Sequence, residues 1–243
     1  MEDVLTDLPP PSRFFDEDLD NFATPTPSLP SPFLRLNPNR PNLRPSLLII
    51  AISTPSLSLL RRIPHKTLIG TLILPESPHS SKSCNIYFID RPSPAILVAV
   101  HHKVSDERSR AVAKVLLGDI IGERVLIMDS IKAENYRSSV RDEAAGFKLE
   151  TSSERGGEDR LVRDWEYLPS GSVMGGLGAA LLGECQMRGW KATMCATWPE
   201  NGWSVAAKLR YVMRDLGFDV DGDESGDGDG IRVPSRFHSE LYV

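Results

Sequence analysis

The chain has 243 residues, 40% hydrophobic and 25% charged, the size of one α/β domain with room for tails. No apolar run approaches the length of about 18 residues that a membrane span requires, and Met1-Glu2-Asp3-Val4 lacks the basic start of a secretory signal, so neither membrane insertion nor secretion is expected. The formal charge of −5 belongs to the ends: residues 1–45 hold seven acidic and four basic side chains, residues 219–243 hold seven and two, and the middle is left at +3, too weakly basic for a nucleic-acid footprint.

Three cysteines, Cys84, Cys185 and Cys195, are odd in number and never spaced as C-x-x-C. This argues against a disulfide framework and a zinc site. They read as buried thiols in a reducing compartment.

Ten of the 19 prolines fall within residues 1–45, where the missing N–H donors argue against regular helix or sheet. The segment is expected to be an extended arm. Within it, Phe15, Leu19 and Phe22 recur at spacings of four and three behind Asp16-Glu17-Asp18, the pattern of one amphipathic helical turn. Such a turn either folds back onto its own domain or docks a partner.

Composition changes at Ser46. Leu47 to Ile52 is a continuous apolar run suited to a strand buried on both faces, and Leu68–Leu74, Cys84–Ile89, Ala95–Val100, Val125–Met128 and Ala192–Thr197 read as further strands. Helical spacing appears in Asp106–Leu117 behind Ser105, in Ser172–Arg188 ending at Gly189, and most clearly in Gly202–Leu216, where Val205, Leu209, Val212, Met213 and Leu216 form one stripe. The alternation predicts an α/β fold: a single domain over 46–218 with a mainly parallel sheet flanked by helices. After Phe218, the Gly/Asp-rich run to Gly230 has too little apolar surface to order itself. Residues 219–243 are therefore expected to form a flexible acidic linker and a terminal tail.

Most candidate chemistry fails on inspection. Asp219, Asp221 and Asp223 imitate a calcium loop, but Glu224 stands where the turn needs glycine and Gly230 where a bidentate Glu is needed. Gly171 to Gly178 could cradle an anion at a helix start, yet it completes neither the phosphate-loop nor the dinucleotide fingerprint. The other reading is that small residues bring the helix close to the sheet. His101 and His102 are adjacent on or just past a strand, would point to opposite faces, and are expected to be exposed. Asp129 ends a strand where α/β enzymes often place a carboxylate, as ordinary strands also do. No catalytic, cofactor or metal site is assigned.

The terminus has a distinctive geometry: Leu241, Tyr242 and the free carboxylate of Val243 follow a flexible tether. An apolar side chain, an aromatic ring with a polar tip and an anion together fit a groove on another protein. Along the chain, Pro9-Pro10-Pro11-Ser12-Arg13-Phe14-Phe15, Leu29-Pro30-Ser31-Pro32-Phe33-Leu34, Arg44 to Ala51, Ser83-Cys84-Asn85-Ile86-Tyr87, Leu149 to Arg155 and Leu168-Pro169-Ser170-Gly171-Ser172 occur in order. With these blocks and its ending, the chain resembles the proteasome assembly chaperone family, in particular its plant-type chaperone 1 branch.

The resemblance implies a purine nucleoside phosphorylase-like α/β fold without enzyme activity or cofactor. It implies a heterodimer with proteasome assembly chaperone 2, binding to proteasome α-subunits, promotion of the heptameric α-ring of the 20S proteasome, and a cytoplasmic location with the nucleus as a second one. It also implies that Leu241, Tyr242 and Val243, as a hydrophobic-Tyr-any motif, enter a pocket between α-subunits. The alternatives are a small-ligand-binding α/β enzyme of the nucleoside phosphorylase-like fold, using the Gly171 to Gly178 helix start, and an unrelated scaffold read through Phe15, Leu19 and Phe22.

Overall fold

Strand β1, Phe33–Leu36, lies inside the proline-rich stretch in which the sequence reading expects no sheet. Its neighbours Pro30, Pro32 and Pro38 fall outside the four paired residues, and an edge position leaves one side of the strand without ladder demands. The structure, a computed structural model, describes residues 29–37, 44–75, 84–91, 93–137, 144–200 and 203–220. The Phe15, Leu19 and Phe22 turn, the aspartates beyond 219 and the terminal Leu241, Tyr242 and Val243 lie outside them.

The remaining strands are β2 (Leu47–Ala51), β3 (Thr67–Ile73), β4 (Cys84–Ile89), β5 (Ala95–Val100), β6 (Arg124–Ser130), β7 (Ala145–Glu150), β8 (Glu166–Tyr167) and β9 (Lys191–Trp198). The helices are α1 (Thr54–Arg62), α2 (Asp106–Asp119), α3 (Ser152–Arg155), α4 (Gly176–Met187) and α5 (Trp203–Asp215). The nine strands of the described residues form one sheet, in the order β1-β3-β4-β5-β2-β6-β9-β7-β8.

The four middle strands, β5, β2, β6 and β9, run parallel. Their apolar runs are buried on both faces, as strands covered by helices on two sides must be. The flanks differ from expectation. β1, β3, β4 and β5 are paired antiparallel, as are β7 and β9, while β8 runs parallel to β7. The sheet is thus mixed, with its parallel part at the centre. Only five residues separate Ile89 from Ala95, too few for the crossover a parallel pair would need.

Helices α2 and α4 cover one face, meeting Leu48, Ile50, Val98, Val125 and Ile127. Helices α1 and α5 cover the other, meeting Ile49, Ala51, Leu97, Leu126 and Met128. The alternation of these residues along β2 and β6 is the period-two rule of a strand divided between two cores. In α5 the predicted stripe of Val205, Leu209, Val212 and Met213 is buried, and the helix stops at Gly217, φ +74, a left-handed position that glycine fills without strain. Helix α4 begins at Gly176, four residues later than expected. Gly175 is extended and Gly176 has φ +64, so regular helix cannot reach back to Ser172.

Candidate functional site

The parallel strands end on one rim of the sheet, and there the chain leaves a cleft of about 970 Å³. In an α/β sheet this is the usual place for a ligand. Five segments line it: Ile52–Thr54 after β2, Val100–Val104 after β5, Asp129–Asn135 after β6, Val173–Leu177 at the start of α4, and Trp198–Glu200 after β9. One wall is stiffened by Tyr136, whose ring stacks on Trp198 with centroids 4.7 Å apart.

Asp129, the carboxylate singled out at a strand end, does face this cleft. Its Oδ1 accepts the N–H of Ser130 at 2.8 Å, and its carboxylate also accepts the N–H of Gly178. Withdrawal from water pushes the carboxyl up to about 6, with Glu200 adding to the rise, while the two backbone N–H donors and Lys132 oppose it.

This arrangement decides between the two readings of Gly171 to Gly178. A Cβ at position 178 would collide with the Asp129 carboxylate and approach Met194 Sδ to 3.2 Å, so the small residue there serves close approach of α4 to β6. The chain's own Asp129 already accepts one of the N–H groups of that helix start. The preceding loop also spends donors internally: Ser172 N–H donates to Pro169 O, Val173 N–H to Asn135 O at 3.0 Å, and the Ser172 hydroxyl to Arg137 O at 3.2 Å.

His101 and His102 are half-buried and line the cleft, where the sequence reading expects exposed side chains. The cleft walls shelter both residues although each follows a strand end. Burial, reinforced by nearby Arg61, holds His101 below the usual imidazole range. It makes no hydrogen bond to Asp129, so the two do not form an acid–base pair in contact. Among the described residues, no group of three His, Cys, Asp or Glu side chains is arranged to hold a metal.

The cysteines are free and buried. Burial pushes Cys84 and Cys185 up to about 12 and Cys195 higher still, which makes them poor nucleophiles. No helix among the described residues is long and apolar enough to cross a membrane.

The last described residues, ending at Val220, lie elsewhere. Arg91, in the turn between β4 and β5, donates from Nη2 to Leu216 O at 3.1 Å and sets its guanidinium 4.2 Å from the centre of the Phe218 ring. Phe218 and Val220 are buried. This clamp holds the end of α5 beside the start of β5, whereas the cleft lies past its other end at Val100. The clamp was not foreseen from the sequence, because 125 positions separate Arg91 from Leu216.

No protein-family model matches the sequence, and no curated protein is similar to it at a significant level. Solved structures do match. Pyrococcus furiosus PbaA, an archaeal homolog of proteasome-assembly chaperone, aligns with a TM-score of 0.59 at 16% identity over 79% of this chain and 84% of its own. Pyrococcus furiosus PbaB, an archaeal proteasome activator, aligns with a TM-score of 0.57 at 16% identity over 79% of this chain and 91% of its own. The chain shares their fold. A Thermoplasma acidophilum protein of unknown function also has it, with a TM-score of 0.53 at 14% identity over 74% of this chain and 79% of that one.

Proposed function

We propose that this chain is a proteasome assembly chaperone of the plant-type chaperone 1 branch and not an enzyme. The observation that carries the reading is the fold shared with PbaA and PbaB over most of both chains, joined to the ordered sequence blocks and the terminal Leu241-Tyr242-Val243. In this reading the protein forms a heterodimer with proteasome assembly chaperone 2. It binds α-subunits through its domain and promotes formation of the 20S α-ring. It acts in the cytoplasm and also in the nucleus, where three reduced, buried thiols are in keeping with the redox setting.

The terminal motif acts as a tethered anchor. The 20 residues from Asp221 to Glu240 span about 25 Å r.m.s. as a flexible coil. Leu241 and the Tyr242 ring supply apolar area, and the Val243 carboxylate meets a cation or backbone donors in a pocket between α-subunits. Two weak contacts, domain and tail, then reinforce each other through effective concentration.

The test is assembly itself. Recombinant α-subunits are incubated with and without the chain and its partner chaperone, and seven-membered rings are followed by native gel and native mass. Faster or more complete ring formation supports the reading. Ring formation unchanged at saturating chaperone, with no complex on the gel, contradicts it.

A further inference from the structure

Helix α4 is apolar nearly all round, Gly-Leu-Gly-Ala-Ala-Leu-Leu-Gly-Glu-Cys-Gln-Met, although only one side of it faces the sheet. A helix of this composition normally has a second surface to cover it. On its outer side, Ala179, Gly183 and Met187 follow at intervals of four, Gly183 is exposed and Met187 is 66% exposed. The neighbouring helix α2 is packed against α4, and there Arg110, Lys114 and Gly118 recur at the same interval and are exposed. A Cβ built at Gly118 or Gly183 meets nothing within 4 Å. The pair of helices thus offers a floor of small residues with two cations along it and Ile121 and Met187 exposed toward one end.

The chain itself has a segment of matching chemistry that starts beside this surface. Arg108, in the first turn of α2, donates from Nη2 to Pro30 O, and Leu34 and Leu36 of β1 lean on the same core as α2. Residues 1–28 therefore join the domain next to α2. Their sequence carries Phe15, Leu19 and Phe22 at helical spacing, flanked by Asp16, Glu17, Asp18 and Asp20. Eight positions separate Phe22 from Pro30, a reach of up to about 27 Å when extended. From Arg108 to Gly118 along α2 the rise is only about 15 Å.

We propose that the outer face of α2 and α4 is the docking site for the chain's own N-terminal segment, with Phe15, Leu19 and Phe22 on the Gly118, Ala179 and Gly183 floor and the acidic side chains against Arg110 and Lys114. Large apolar side chains over small ones, with complementary charges at the rim, is how an amphipathic helix seats in a groove. Occupation would shield the face from adventitious contacts, and a partner for that face would have to displace the segment.

The native thiols are buried and pushed up, so a nitroxide can be attached selectively to a cysteine introduced by Asn21→Cys, beside the apolar stripe. In the full-length, isotope-labelled chain, the amides of Gly118 and Gly183 lose intensity to the paramagnetic label, and Arg110→Glu with Lys114→Glu restores it. Full intensity at both amides overturns the proposal. So does broadening that appears when labelled chain is mixed with a separate isotope-labelled chain at equal strength, because the occupant is then a second copy. The outcome is independent of proteasome binding, which the assembly experiment reads separately.

Discussion

The carboxylate of Asp129 accepts the amide of Gly178, fastening the end of β6 to the first turn of α4. The contact turns a strand-end carboxylate and a glycine-rich helix start, each of which alone resembles a piece of active site, into parts of one structural joint. It also sets the sign of two measurable effects.

Gly178→Ala should destabilise the protein although alanine favours helix over glycine by about 1 kcal/mol. The added methyl meets the Asp129 carboxylate and Met194 Sδ, and overpacking of this kind costs about 1–3 kcal/mol. Urea unfolding at fixed pH reads the balance; a stabilised variant would show that the joint has slack.

The second effect is a pH dependence. The Asp129 carboxyl titrates at about 6 in the folded chain, against an ordinary value of 3.8. The folded state therefore holds more protons than the unfolded state between about pH 4 and 6, and stability falls as pH rises through that window. A shift of about two units corresponds to roughly 3 kcal/mol. Asp129→Asn should remove this contribution, so that the variant gains on the parent as pH goes from 4 to 6.5. Parallel stability curves across that range would contradict the assignment.

Glu154 is fully buried, accepts Arg124 Nη2 at 2.7 Å and the Leu161 N–H at 2.8 Å, and ties α3 to β6 and to the segment leading into β8. Glu154→Leu should cost about 2 kcal/mol, because the buried Leu161 amide loses its acceptor while Arg124 keeps Asp159 as a partner. Adding Arg124→Met should recover only the ion-pair part of that loss, since the Leu161 amide still has no acceptor. Thermal unfolding of the four proteins of the cycle measures it.

Gly70 lets β1 come close: a Cβ there would lie 2.8 Å from Arg35 O and 2.5 Å from Leu36 Cδ2. Gly70→Val should release β1 while leaving the parallel strands intact. The amide of Asn37, which donates to Ile69 O at 2.8 Å, should then exchange with solvent much faster, with protection unchanged at Ile49 and Leu126.

How much of this was legible depended on whether a residue's role was set by its neighbours in sequence or in space. Strands β2, β5, β6 and β9 were readable because a strand buried on both faces must be apolar along its length, β3 and β4 because short apolar runs stand between Pro and Ser residues, and α5 because one buried stripe stands out against Lys208 and Arg214. Helix α1 was not, since Thr-Pro-Ser-Leu-Ser reads as loop until Pro55 is seen to occupy the first turn, where its missing N–H costs nothing. β7 and β8 escaped because a Gly in one and a length of two residues in the other leave no pattern to find. The position of Asp129 at a strand end was foreseen. Its partner Gly178 lies 49 residues away, and no spacing rule links a strand end to a helix start across the sheet. The half-buried histidines were missed for the same reason, since the walls that shelter them come from other strands.

The proposed function turns on the terminus more than on any residue of the sheet. The deciding measurement is a native-gel titration of proteasome α-rings with the full chain and its partner chaperone, set beside Tyr242→Ala and a chain lacking Leu241, Tyr242 and Val243. The tethered-anchor reading predicts clear binding by the full chain and weaker binding by both variants, with melting temperatures unchanged. Equal affinity of all three would contradict the anchor, and no binding by any of them would contradict the chaperone reading itself.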